Sequence, residues 1–387
     1  MEMKGRYRIL CGVLTSLGFG CVKPYNPAIV ASNNNYLVVE GNINTGTDST
    51  TIELSRTTNV ASGITLKPEL NATVVIQDNQ NQAYNLTARA NGVYTSALLT
   101  LDPSRMYRLN ITTTDGKIYV SDYVPAKISP PIDSVGFKIQ SNGIQIYVNT
   151  HDPNNNTHYY QWNYIETWEF NAKYFSGYIV DDTSIVARRP DQQIYQCWAN
   201  DMATDIELGS TAKLTQDVIY QNPLAFITST SEKLETRYSI LVKQYAMTVA
   251  AYNYYYLLKQ NTEELGSIFD AQPSSLTGNI HCTTNPAIPA IGYITSGTYQ
   301  QKRIYVDNSQ LPQLWRPTYP YDCEIDTAKF GTSAYEALLQ KNSGYTPLDY
   351  AENSNGIVGY LFSDADCADC SLRGSNTPPS FWINGPN

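Results

Sequence analysis

The chain has 387 residues, a formal net charge of −9 and 16% charged side chains. The acidic balance excludes a nucleic-acid binder, which needs a basic footprint. The length suits two domains, at roughly 100–200 residues each, either one large enough to bury a core.

Lys4, Arg6 and Arg8 open the chain, and an apolar run follows from Ile9 to Phe19. That run is well short of the ~20 residues needed to cross a bilayer. It ends in Leu17-Gly18-Phe19-Gly20, and then Cys21. A basic start, a short apolar stretch and small residues at its exit mark a secretory signal. Residues 1–20 therefore read as a lipoprotein signal peptide, and Cys21 as the acylated first residue of the exported chain. Gly18 departs from the branched apolar residue usual three positions before such a Cys. Two or more acyl chains on Cys21 would make the anchoring stable. Residues 21–35 carry Pro24, Pro27 and Ser32-Asn33-Asn34-Asn35 without a hydrophobic period, and read as the lipidated tether. No later stretch is long and apolar enough for a membrane helix.

From Tyr36 short alternating runs recur: 36–43, 50–55, 72–76, 83–88, 93–98, 106–112 and 117–123. Turn residues separate them. Strands at this spacing predict an antiparallel β-sandwich of immunoglobulin-like architecture over 36–124. Pro125 to Pro131 contains three prolines and reads, within 125–132, as a linker.

A larger β-rich domain is expected over 133–387. Strand patterns cover 134–140, 144–149, the aromatic run 159–170, and 236–247. The period then changes. From Thr248, a plausible N-cap, apolar residues at Val249, Tyr252, Tyr256, Leu257 and Leu265 predict the main α-helix near 249–265, with Gly266 as its C-cap. Residues 278–298 return to strand pattern. The region from Pro312 looks loop-rich and stapled. The fold class is thus mainly β, a sandwich followed by a larger β-rich domain with one main helix.

Beyond the signal, five cysteines are disulfide candidates: Cys197, Cys282, Cys323, Cys367 and Cys370. An exported chain with an odd count fits two bridges and one free thiol, with the pairing open. A zinc site from Cys367, Cys370, His281 and Cys282 is the weaker alternative. No GxSxG, HExxH or phosphate-binding glycine loop occurs, so no catalytic residues, metal or cofactors are expected, and the protein reads as a non-enzyme. The run from His151 to His158 could offer oxygens to Ca²⁺, but a polar turn explains it as well. The acid pairs Glu263–Glu264 and Asp181–Asp182, the latter near Arg188 and Arg189, carry no catalytic signature.

Aromatics are the stronger lead. Tyr occurs 31 times; it serves strands, and it also serves rigid amphipathic binding faces. Trp162, Trp168, Trp315, Tyr319 and Tyr321 are the binding candidates, with Trp198 beside them. Tyr252, Tyr254, Tyr255 and Tyr256 surround the helix, so one of them faces away from any single core stripe.

Three blocks carry a family likeness. They are Tyr159-Tyr160-Gln161-Trp162 with Glu166-Thr167-Trp168; the helix exit from Lys259 through Asp270, running on from Gln272 to Cys282; and Cys367-Ala368-Asp369-Cys370 with Gly374 and Pro379-Ser380-Phe381-Trp382. With the Cys21 signal, the chain resembles the Bacteroidota outer-membrane lipoproteins of the domain-of-unknown-function 4249 family, across nearly all of the exported chain. Members are typically encoded beside TonB-dependent receptors. The resemblance implies an accessory lipoprotein of a TonB-dependent nutrient uptake system, lipid-anchored at the outer membrane, with the receptor as partner. It brings no catalytic residues. A free-standing glycan- or peptide-binding surface lipoprotein is the alternative, and a hydrolase the third. Surface-exported members of the phylum often carry acids just after the lipidated Cys. Val22-Lys23-Pro24-Tyr25 has none, which leaves the periplasm-facing leaflet open beside the cell surface.

Overall fold

Alternation of apolar and polar side chains builds the first sandwich. In Thr73–Asp78 the inward residues include Val74 and Ile76; in Met106–Thr112 they are Tyr107, Leu109 and Ile111. Their partners across the core include Leu37, Val39, Ile52 and Leu54, from the strands Leu37–Asn44 and Thr51–Arg56. The computed structural model describes residues 35–58, 67–263, 276–319, 321–340 and 343–383. The expected signal peptide, the expected lipidation site Cys21, nearly all of the expected tether and the expected helix cap Gly266 lie outside these residues. The strand runs expected between residues 36 and 123 are strands, with Ala83–Asn85 and Thr87–Ala88 replacing the single run 83–88.

The protein is mainly β, with one main helix. The first sandwich, however, is not built from residues 36–124 alone. Three strands from after the helix return to it. Ile280–Cys282 pairs with Ile118–Ser121; Ala290–Ile291 lies parallel to Leu37–Asn44; and Thr295–Gly297 lies parallel to both Leu37–Asn44 and Val124–Lys127. Ile280, Cys282 and Ile294 join the same core. The expected division, which assigns these residues to the domain 133–387, is corrected here. They complete the sandwich where Leu37–Asn44 changes partner: Thr51–Arg56 pairs with it as far as Gly41, and Thr295–Gly297 pairs with it from Asn42. Gly41 has φ +138°, and a Cβ there would lie 2.6 Å from the Thr51 carbonyl oxygen. Gly292 has φ +132°, and its Cβ would lie 2.1 Å from the Val39 carbonyl oxygen. Only glycine lets the returning chain approach this closely.

The linker 125–132 also needs correction. Its first residues belong to the strand Val124–Lys127. Its prolines are then pinned by the buried Gln244, whose Nε2 donates to the Pro130 carbonyl at 2.8 Å and to Thr150 Oγ1 at 3.1 Å.

A second sandwich follows. Its large sheet runs in the order Gln196–Met202, Tyr159–Asn171, Arg237–Ala246, Tyr299–Asp307, with Glu207–Ser210 beside Tyr159–Asn171. Its small sheet is Ile132–Gln140, Gly143–His151 and Val218–Thr228. Ile144, Ile146 and Val148 of one sheet meet Tyr160, Trp162, Ile240 and Val242 of the other. The helix α1 spans Val249–Thr262 and starts at Thr248, whose side chain accepts from the Ala251 N–H at 3.2 Å. It ends three residues short of the expectation, at the C-cap Glu263.

The C-terminal region is more ordered than its composition suggests. Asp326–Lys329, Gly356–Asp364 and Tyr345–Asn353 form a sheet, with α2 (Ser333–Leu339) packed on it. Pro347 disguises Tyr345–Asn353. It is tolerated because that strand lies at the sheet edge, with a register shift between Pro347 and Asp349. Two disulfides hold this unit. Cys197–Cys370 joins it to the large sheet, and Cys323–Cys367 closes it on itself. Cys282 is the free thiol, buried in the first core as a small hydrophobe.

Gly292→Ala should therefore cost about 2–4 kcal/mol, combining backbone strain and overpacking. Gly116→Ala should cost only about 1 kcal/mol. Gly116 also has positive φ, but nothing lies within 4 Å of its would-be Cβ. Chemical denaturation of both variants checks the difference; equal losses would show that the returning strands do not pack this closely.

Candidate functional site

The two sandwiches and α1 enclose a cleft of about 560 Å³. Its floor is the outer face of the large sheet. Tyr160, Trp162 and Tyr164 point inward, so the alternation sends Gln161 and Asn163 outward. The same phase on the next strand buries Val242 and Gln244 and exposes Lys243 and Tyr245 to the cleft. Strand register sets Gln161 beside Tyr245, and Tyr245 beside Tyr299. One wall is the strand Leu37–Asn44, which presents Glu40 and Asn42. The other is α1, which presents Tyr254, Tyr255 and Leu258, joined by Tyr293.

Several of these groups are held rigidly. The Tyr299 hydroxyl donates to Asp48 Oδ2. That bond and the Ser49 N–H hold the Asp48 pKa below the ordinary aspartate value. Burial, and then the same carboxylate, push the Tyr299 pKa up to about 12. Tyr255 donates to the Tyr293 carbonyl oxygen at 3.2 Å, and burial raises its pKa. Lys243 Nζ lies 5.3 Å from the Tyr299 ring centroid. The side chains of Gln161, Asn163 and Glu40 take no hydrogen-bond or ion-pair partner among the described residues. Glu40 stands directly across the ladder from Glu53. Partial desolvation, and then Glu53, raise its pKa above the ordinary 4.5. Rigid rings with unpaired amides and a carboxylate between them suit reversible binding of a polar ligand.

A larger cleft of about 1030 Å³ lies in the C-terminal unit, where Leu338, Leu339 and Leu372 line it with Arg188 and several aspartates. Loop segments form much of its wall, whereas paired strands and a helix form most of the junction cleft.

The sequence-predicted aromatics lie elsewhere. Trp162 is corrected to a core residue: it is 0% exposed, and its Nε1 donates to Gln244 Oε1 at 3.0 Å. Trp168, Trp315, Tyr319 and Tyr321 are half-buried, and they mainly hold the C-terminal segment against the large sheet. Trp168 donates to Glu232 Oε1 at 3.1 Å, Tyr319 donates to Glu235 Oε1 at 3.0 Å, and Arg373 covers the Tyr321 ring. Trp315 packs against the second core. Of the helix tyrosines, Tyr254 is buried and Tyr256 is 45% exposed.

The calcium, zinc and acid-pair sites suggested by the sequence dissolve into local structure. Asp152 spends both carboxylate oxygens on the N–H groups of Asn154 and Asn156, as a turn does. Cys367 and Cys370 are bridged to different partners, which removes the zinc reading. The three histidines are paired separately, with Asp133, Thr211 and Asp122. Arg189 pairs with Asp191 rather than with Asp181 or Asp182. Glu263 accepts from the Ile206 N–H and pairs with Lys259 on its own helix; Glu264 lies outside the described residues. Among the described residues, no group of three or more His, Cys, Asp or Glu is placed to hold a metal ion.

A family model described as a domain of unknown function, DUF4249, matches residues 22–303. The chain belongs to the DUF4249 family. Every residue of the junction cleft falls inside the matched span, while much of the C-terminal cleft lies beyond it. No curated protein matches this DUF4249 chain. Similar solved structures include a Salmonella alpha-2-macroglobulin variant, at 8% identity and TM-score 0.18, covering 84% of this chain and 16% of that one. They also include the Yersinia pseudotuberculosis adhesin InvE, at 13% identity and TM-score 0.14, covering 55% of each chain.

Sequence reasoning missed Glu40, Gln161, Asn163, Lys243 and Tyr245. Their signal was the polar phase of strands whose other phase is strongly apolar. Because ionisation of Glu40 is disfavoured in the fold, stability is lost as pH rises through its raised pKa. Glu40 is exposed, so solvent screens much of this effect, and Glu40→Gln should stabilise the protein at pH 7 by only a few tenths of a kcal/mol, on the order of an exposed charge pair. The gain should vanish below the ordinary glutamate value of 4.5. Thermal melts of both proteins across pH 3.5–8 check this; a gain independent of pH would reject it.

Proposed function

We propose that this DUF4249 protein is a lipid-anchored, non-enzymatic accessory protein of a TonB-dependent outer-membrane uptake system. In this reading it holds a ligand in the junction cleft and passes it to the receptor barrel. The observation that carries the reading is the cleft itself: unpaired polar side chains and fixed tyrosine rings on paired strands, at the meeting of two sandwiches. Ligand sites favour such junctions, because two bodies supply complementary walls. Cys21 would supply the anchor, and a stable barrel contact would bury on the order of 1,200–2,000 Å².

Purification of the tagged, lipidated protein from native outer membranes in mild detergent, followed by mass spectrometry, tests the partnership. A stoichiometric TonB-dependent barrel is expected. A solitary protein, with the barrel found elsewhere in the same membrane, would overturn the reading. Cys21→Ser should move the protein from the membrane to the soluble fraction; retention in the membrane would refute the anchor.

A further inference from the structure

The groups left unpaired in the junction cleft narrow the chemistry of its ligand. Asp48 and Lys243 attract one another, and Tyr299 occupies both, through a hydrogen bond to Asp48 and its ring beneath Lys243. Lys243 is the one cation lining the cleft among the described residues, and its ammonium makes a ring contact with Tyr299 but no hydrogen bond or ion pair there. A phosphate or polycarboxylate would meet that single ammonium together with the carboxylates of Glu40 and Asp48, a lining with a net negative charge that disfavours anions. A divalent cation would want several oxygen ligands, and Glu40 is the one carboxylate there without a hydrogen-bond or ion-pair partner among the described residues.

What remains is a mixed set. Glu40 accepts hydrogen bonds, and the Gln161 and Asn163 amides both donate and accept. A sugar hydroxyl likewise donates and accepts, so a row of hydroxyls can satisfy all three groups. The rings supply the second half of the match. The hydroxyls of Tyr255 and Tyr299 are tied to the Tyr293 carbonyl and to Asp48, so these residues offer mainly their faces and edges. A pyranose has an apolar C–H face and a polar rim. That rim can meet the amides while the face lies on a tyrosine.

Peptide capture by strand addition fits less well. Tyr159–Asn171 and Arg237–Ala246 on the floor are paired on both sides along nearly all their length, whereas Leu37–Asn44 in the wall has two ladder partners at Leu37 and Val38 and one from Val39 to Asn44. The floor offers no free edge for a peptide backbone, and the one-sided stretch of the wall is only six residues long. The volume, about 560 Å³, lies in the range of small-ligand sites, roughly 300–1,000 Å³.

We infer that the junction cleft binds a short neutral oligosaccharide, stacked on the tyrosines and hydrogen-bonded by Gln161, Asn163 and Glu40. The inference rests on the cleft being the ligand site of the accessory protein. The test is calorimetric titration of the full lipidated protein in detergent. The probes are gluco-, manno-, xylo- and galacto-hexasaccharides, an oligogalacturonate, and a random decapeptide pool. At least one neutral series should bind. The double change Gln161→Ala with Asn163→Ala should weaken it tenfold or more without moving the melting temperature. Tyr255→Phe should keep the affinity and Tyr255→Leu should lose it, because the ring rather than the hydroxyl makes the contact. Binding of the decapeptides or the oligogalacturonate in place of the neutral sugars, lost in the same variants, would overturn the sugar class and leave the cleft as the site. Binding of a neutral sugar unaffected by all these changes would overturn the site. No binding of any probe would overturn the inference, and copurification with a barrel would still decide the accessory role separately.

Discussion

The parallel seam made by Thr295–Gly297 is the constraint on which the rest of the structure depends. This short strand lies between Leu37–Asn44 and Val124–Lys127, and so joins the two sheets of the first sandwich at one edge. The chain then passes directly into Tyr299–Asp307, a strand of the second sandwich. One covalent step thus links the seam of one body to the sheet of the other. A pair of domains on a flexible linker would move freely. Here residues 128–131 and residue 298 both cross between the bodies, and Ile280–Cys282 returns the chain to the first sandwich, so more than one link restrains them. The cleft inherits its shape from this arrangement, since its floor, its strand wall and its helix wall all adjoin these crossings.

A second, smaller network reinforces the first crossing. Gln244 is fully buried in the large sheet. Its Oε1 accepts from Trp162, and its Nε2 donates to Pro130 and Thr150. Its own carbonyl accepts from Ser129 Oγ at 3.1 Å. A buried amide is costly unless each of its groups is met, and this one is met on every side. It therefore converts a proline-rich crossing into a fixed one. It also satisfies the indole N–H, the single polar atom of the Trp162 side chain, in an otherwise apolar core.

How much of this was legible in the sequence follows from the range of the forces involved. Alternation is local, so the strands of residues 36–123 could be read to within a few residues. The start of α1 at Thr248 could be read too, because a cap and a change of period are also local. The return of Ile280–Cys282 and its neighbours could not. Pairing between residues more than 150 apart leaves no mark in either segment, apart from glycines such as Gly292 whose need is visible only in space. The C-terminal sheet was hidden for a different reason: Pro347 and the acids of Tyr345–Asn353 belong to an edge strand, where strand propensity is relaxed. Trp162 misleads because the run 159–170 is aromatic in both phases. Comparing Tyr160-Trp162-Tyr164 with Tyr159-Gln161-Asn163 would have favoured the first set as core and left Gln161 and Asn163 facing out.

The cleft also explains a feature that stability alone would not select. Glu40 and Glu53, both exposed, stand opposite one another on adjacent strands with no ion-pair partner among the described residues, and like charges so placed and screened by solvent cost a few tenths of a kcal/mol. The buried Glu166 and the half-buried Glu69, by contrast, are paired. Glu166 is met by Lys233 and Tyr238, and Glu69 by Arg56. The contrast matters because a neighbouring lysine or a neutral glutamine at residue 53 would remove the repulsion without disturbing the core. An acceptor kept short of partners at the edge of a tyrosine-walled cleft makes physical sense if a ligand hydroxyl satisfies it. Local instability and binding capacity are then two aspects of one unpaired group.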